Sequence, residues 1–93
     1  MCKSDIYQRL LKLTAEETEI SSERITGMYT DMESTDARYI LATLLYEQGF
    51  YPSQIAPLLN RKPRGIRALL SRGLTSPMVG IMLANIRHKA GKN

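Results

Sequence analysis

Tyr51-Pro-Ser-Gln-Ile-Ala-Pro-Leu-Leu-Asn-Arg-Lys-Pro-Arg-Gly-Ile-Arg-Ala-Leu-Leu-Ser-Arg-Gly-Leu74 is the stretch on which the reading of this chain turns. Ile55, Ala56, Leu59, Ile66 and Leu69 fall where two short helices crossing at a tight turn need apolar or small residues, the spacing of a helix-turn-helix. Ser53 is expected to cap the first helix, Ser53 to Asn60, with Ile55, Ala56 and Leu59 pointing inward. Ala56 is small enough to let the second helix approach. Pro57 is placed at the fourth helical position, where it removes only the first intrahelical hydrogen bond. Asn60 suits a turn residue with positive φ, which Asn accepts more readily than most residues. Pro63 opens the second helix with its pre-set φ, and Gly73 stops it.

The outward face of that second helix is basic. Arg64, Arg67 and Ser71 lie at i, i+3 and i+7 on one stripe, flanked by Arg61, Lys62 and Arg72. Gly65 costs roughly 1 kcal/mol relative to Ala in a helix interior, but it leaves room for a nucleic acid backbone. No Asp or Glu follows Glu47. The charges are therefore segregated. Residues 1–47 hold five basic and nine acidic residues, net −4, whereas residues 48–93 hold eight basic and no acidic ones, net +8. Such asymmetry points to a nucleic acid or anionic-surface partner, or else to an acidic half that folds back on a basic half.

The remaining chain reads as helices with no strand. Ile6, Leu10 and Leu13 share a face of a helix from about Ser4 to Glu17, capped by Ser4. A single turn is expected from Ser21 to Gly27, then a polar, acidic loop from Met28 to Ser34. Ala37, Ile40, Leu41, Leu44 and Leu45 mark a helix from Thr35 to Gln48, capped by Ser34 or Thr35 and ended by Gly49. A last helix runs from Pro77 to about Lys89, apolar over a wide arc. The expectation is all-α: one domain over residues 1–93, a small bundle of about five helices containing a helix-turn-helix at about 53–73.

Several function classes drop out. The sole His, His88, stands in a C-terminal turn with no carboxylate near it in sequence, and Glu16, Glu17 and Glu19 read as a solvated helix end. No phosphate-binding Gly loop and no metal-ligand spacing is present, so neither an enzyme nor a cofactor or metal protein is expected. Cys2 is the only cysteine and forms no internal disulfide. The start lacks the apolar run of a secretory signal, and no segment reaches the ~20 apolar residues of a membrane span, so a cytoplasmic location is expected.

From Ile6 to about Arg72 the chain resembles the C-terminal DNA-binding domain of the bacterial replication initiator DnaA, in the Trp-repressor-like helix-turn-helix group. The resemblance runs through the helix Ile6 to Leu13, the one-turn element Ile20-Ser-Ser-Glu-Arg-Ile25, the helix beginning Asp36-Ala-Arg-Tyr-Ile-Leu41 and the pair entered at Pro52-Ser-Gln-Ile55. It implies that the second helix of the pair docks in the major groove of double-stranded DNA. The family's recognition helix opens Arg-Asp-His-Thr-Thr, where this chain has Arg61-Lys-Pro-Arg-Gly65 and matches only at Arg61. Its basic loop is replaced by the acidic Tyr29-Thr-Asp-Met-Glu-Ser-Thr35. The resemblance thus implies the fold, without binding to replication-origin boxes. Gln54 to Arg72 is also similar to the promoter-reading pair of sigma factors.

The expected activity is DNA binding of a regulatory or replication-related kind, with residues 63–73 in the major groove. Arg64 and Arg67 are candidates for guanine edges. Arg61, Lys62 and Arg72, helped by Ser53 and the first helix's free N–H groups, are candidates for phosphates, and Ser71 completes the stripe. Neutralising about four to six phosphates corresponds to a slope of log K against log salt of about −4 to −5. Tyr51, at the mouth of the pair, is the one tyrosine placed near DNA. The alternative is a protein-interaction or homodimerisation module on the same fold. In it, Asp31, Glu33 and Asp36 of one copy pair with the basic helix of another, and the last helix buries its apolar arc.

Overall fold

The helix Met32–Glu47 is buried on nearly every side: Ala37, Tyr39, Ile40, Leu41, Ala42, Leu44 and Leu45 all lie in the core. A helix apolar around most of its circumference must be surrounded, and the other five pack against it. In the structure, a computed structural model describing residues 2–91, the order is α1 (Lys3–Thr18), α2 (Ser22–Thr26), α3 (Met32–Glu47), α4 (Pro52–Leu58), α5 (Pro63–Ser71) and α6 (Pro77–Ala90). The described residues form an all-α bundle of six helices rather than about five, because the single turn after Ile20 is a helix in its own right. No described helix is long and apolar enough to cross a membrane.

α3 begins three residues earlier than expected. The Asp31 carboxylate accepts from the Ser34 N–H at 3.0 Å, which makes Asp31 the cap and draws Met32 to Ser34 out of the expected loop. Ser34, one of the two expected caps, is instead fully buried inside the first turn. α1 likewise starts before its expected cap: Cys2 holds the N-cap position, its thiol bonded to the Asp5 carboxylate at 3.2 Å and capping no backbone N–H, and Ser4 lies within the helix. Asp5 in the first turn still opposes the helix dipole.

α1 and α6 pack on each other and on α3. Leu10, Leu11 and Thr14 from α1 meet Val79, Leu83 and Ile86 from α6 in the core. α6 is capped by the Ser76 hydroxyl, which accepts from the Val79 N–H at 3.4 Å. Its apolar arc divides: one side is core, while Met78 and Ile81 are exposed. Gly49 takes φ 94° after α3, as the turn into Phe50 and α4 requires.

Candidate nucleic-acid interface

α4 is entered through Tyr51, not Ser53. Tyr51 is the N-cap and Pro52 the first helical residue, and Gln54 Oε1 accepts from the Tyr51 N–H at 2.8 Å. Lys3 Nζ donates to the same oxygen at 3.0 Å, tying α1 to the entry of α4. Ser53 sits exposed one residue into the helix. Pro57 therefore holds the sixth helical position rather than the fourth, and removes an interior bond from a helix only seven residues long. Ile55, Ala56 and Leu59 are buried, as their spacing requires.

The turn from α4 to α5 is anchored at a distance. Asn60 adopts φ 53° and donates from Nδ2 to the Thr26 carbonyl at 2.9 Å. Arg61 Nη2 donates to Gly27 O at 2.8 Å, and Nη1 donates to Leu59 O at 3.2 Å and Asn60 O at 3.1 Å. Arg38, buried beneath them, donates from Nε to Ile25 O at 2.8 Å and from Nη2 to Tyr29 O at 2.9 Å. Burial, and then the neighbouring Arg61 charge, lower the Arg38 pKa. Two guanidinium groups thus occupy the carbonyls at the end of α2 and in the loop after it, which have no partner within that short helix. Arg61 is engaged inside the molecule rather than turned outward to phosphate.

α5 starts at Pro63, with Lys62 as its N-cap, and buries Ile66 fully and Leu69 and Leu70 in part. Arg64, Gly65, Arg67, Ala68 and Ser71 are exposed. A methyl group at Gly65 would meet open space. Gly73 ends the element with φ 73°. Arg72 departs from the stripe: it pairs with Asp36 and lies over the Tyr39 ring, 5.3 Å from its centroid. The two paired side chains are 26% and 16% exposed.

Folding redistributes the charge that the sequence lays out in halves. Asp36 meets Arg72, Glu47 meets Arg87 (Nε to Oε1, 3.0 Å), and Glu17 meets Lys89 at 3.1 Å, each pair joining the acidic half to the basic half. Hydrogen bonds from Asn85 and Lys89 hold the Glu17 pKa below its ordinary value, and the Glu47 partner raises that of Arg87. Asp31 is held by the Ser34 N–H and by Arg24 at 2.7 Å. Asp31 and Asp36, proposed partners of another copy's basic helix, thus already have partners within the chain. Lys92 lies outside the described residues. Of the other basic residues after Glu47, only Lys62, Arg64 and Arg67 make no side-chain hydrogen bond or ion pair among the described residues. All three are exposed and lie within six residues of one another on α5 and its cap.

Beside this helix lies an open groove of about 410 Å³, lined by Tyr46, Tyr51, Pro52, Arg67, Leu70 and Ser71. Tyr51 is 68% and Tyr46 54% exposed. Tyr46 escapes a sequence reading because it sits between the buried Leu45 and the ion-paired Glu47, and only the approach of α5 gives it a neighbour. No family model, no curated protein and no solved structure matches this chain.

Proposed function

We propose that the chain is a helix-turn-helix protein that binds double-stranded DNA, with α5 in the major groove, in a regulatory or replication-related role. One observation carries the reading: folding pairs Arg72, Arg87 and Lys89 with carboxylates and ties Arg61 to backbone carbonyls, leaving Lys62, Arg64 and Arg67 without a partner among the described residues on exposed α5 and its cap. A short exposed helix bearing outward Arg side chains suits the major groove, whose guanine edges offer two acceptors to a guanidinium. Arg64 and Arg67 are assigned to base edges, and Lys62 to phosphate. Ser71, on the same helix, and Ser53, at the start of α4, are assigned as neutral hydrogen-bond donors to the DNA. Arg61 and Arg72 hold the helix pair in place instead of touching DNA.

Titration of a labelled blunt duplex selected from random sequence, at low and moderate salt, tests this. Lys62→Ala is expected to weaken all duplexes alike, whereas Arg67→Ala costs ~1–3 kcal/mol on the selected site and blurs its preference. Absence of duplex binding by the parent protein at low salt defeats the proposal. Equal loss on selected and random duplexes for Arg67→Ala removes its base-reading role. The second reading, self-association, draws on the exposed Leu74, Met78 and Ile81 at and before α6. Sedimentation that gives a dimer, disrupted by Ile81→Glu while duplex binding is absent, favours it.

A further inference from the structure

We propose that the groove between the end of α3, the start of α4 and α5 is a second nucleic-acid site, one that takes unpaired bases of a single strand. The inference rests on the proposed function in taking α5 as a nucleic-acid surface, and the two sites share Arg67 and Ser71; Tyr46, Tyr51, Pro52 and Leu70 belong to the groove alone. Tyr46 and Tyr51 present their rings to solvent from two different helix ends, and neither ring meets a cation or another aromatic among the described residues. A bundle this small has few aromatic side chains, and the other described ones behave differently. Phe50 and Tyr39 are buried, each with a cation over its ring, and Tyr7 donates its hydroxyl to Leu58 O at 3.1 Å. Tyr29 has Arg24 over its ring.

The charge of the groove argues for a strand over an apolar peptide. Arg67 lies on its wall without a partner among the described residues, and Ser71 adds a hydroxyl. Among the described residues no carboxylate lines it, and Glu47, next in sequence to Tyr46, is occupied by Arg87. Aromatic faces beside an uncompensated cation are what single-strand binding uses: bases stack on the rings while the cation follows the backbone, with little sequence preference. Pro52 and Leu70 provide an apolar floor. An open groove suits a strand laid across it better than an enclosed small molecule.

The test uses the full chain with an oligothymidylate of about twelve nucleotides and, separately, a blunt duplex. The Tyr46→Ala/Tyr51→Ala double variant is expected to weaken the single strand by about tenfold or more and the blunt duplex by less than about threefold. The Tyr46→Phe/Tyr51→Phe variant, which keeps the stacking faces, is expected to restore the parent affinity. Both tyrosines are exposed, so a thermal melt of each variant is expected to match the parent. Failure of the parent to bind the oligothymidylate at low salt while it binds duplex overturns the groove proposal and spares the duplex reading. Equal loss on both ligands in the Ala variant, or no loss on either, also overturns it. Oligothymidylate binding without duplex binding defeats the duplex reading and supports the groove.

Discussion

Arg61 Nη2 donates to the Gly27 carbonyl at 2.8 Å across 34 residues of sequence, fastening the turn between α4 and α5 to the end of α2. With Asn60 donating to Thr26 O beside it, this contact sets how far α5 stands from the body of the bundle. Arg38 fills the neighbouring carbonyls from below, so α2, though only five residues long, acts as the post to which the helix pair is tied.

Arg61→Ala is expected to cost about 1.5–3 kcal/mol of stability, because hydrogen bonds from a charged donor are lost and backbone carbonyls are left without partners. Arg61→Lys recovers only part, since an ammonium cannot span the same fork of acceptors. Lys62→Ala, one residue away and unpaired, is expected to stay within about 0.5 kcal/mol of the parent. Urea denaturation of the three variants is the check; equal midpoints would show that the anchor contributes nothing.

Pairing of Arg72 with Asp36 limits the charge available to DNA. Three unpaired cations correspond to a slope of log K against log salt of about −3, shallower than the −4 to −5 expected from composition. Asp36→Asn frees Arg72, so duplex affinity is expected to rise and the slope to steepen by about one unit. A parent slope already near −4 to −5, unchanged by Asp36→Asn, would mean that Arg72 leaves Asp36 on binding.

The Asp31 carboxyl titrates at about 2 rather than the ordinary 3.8, chiefly because it accepts the Ser34 N–H, with the Arg24 guanidinium adding to the effect. A folded pKa below the unfolded one means that the carboxylate contributes stability above pH 3.8 that is lost as pH falls toward 2. Asp31→Asn keeps a capping oxygen and removes the charge. Its melting temperature is therefore expected to lie below the parent's at neutral pH, with the two converging across that window. A gap that stays constant from pH 7 to 2 would contradict the assignment.

Thr14 is fully buried in α1, and its hydroxyl oxygen has no hydrogen-bond partner among the described residues. Thr14→Val replaces the hydroxyl with a methyl group of the same shape and keeps the β-branch. The variant is expected to gain about 1 kcal/mol, read as a rise in the urea midpoint at constant m-value. Destabilisation instead would show that the hydroxyl finds a partner.

Helix boundaries were least legible where a cap lay outside the apolar pattern. Asp31 and Tyr51 cap α3 and α4 through Ser34 and Gln54, residues three positions on; Ser34 is no worse a cap than Asp31 by residue type, and Ser53 is a better one than Tyr51. Competition among adjacent Ser, Thr and Asp residues is decided by which carbonyls and N–H groups the tertiary packing leaves free. The candidate site divided in the same way. Arg64, Arg67 and Ser71 are exposed as their helical phase requires, because that phase is set by Ile66, Leu69 and Leu70 facing inward.

By itself the amino-acid order determined an all-helical chain, the positive φ at Asn60, the starts at Pro63 and Pro77, and an excess of positive charge after Glu47. These follow from local rules: apolar period, proline geometry and side-chain tolerance of a left-handed turn. Only the tertiary structure decided which cations remain available, because an ion pair such as Asp36 with Arg72 joins residues 36 positions apart and depends on α3 meeting the end of α5. The groove at Tyr46 and Tyr51 also depends on the tertiary fold: the two tyrosines are near neighbours in sequence, but they line a groove only because α5 brings Arg67, Leu70 and Ser71 beside them.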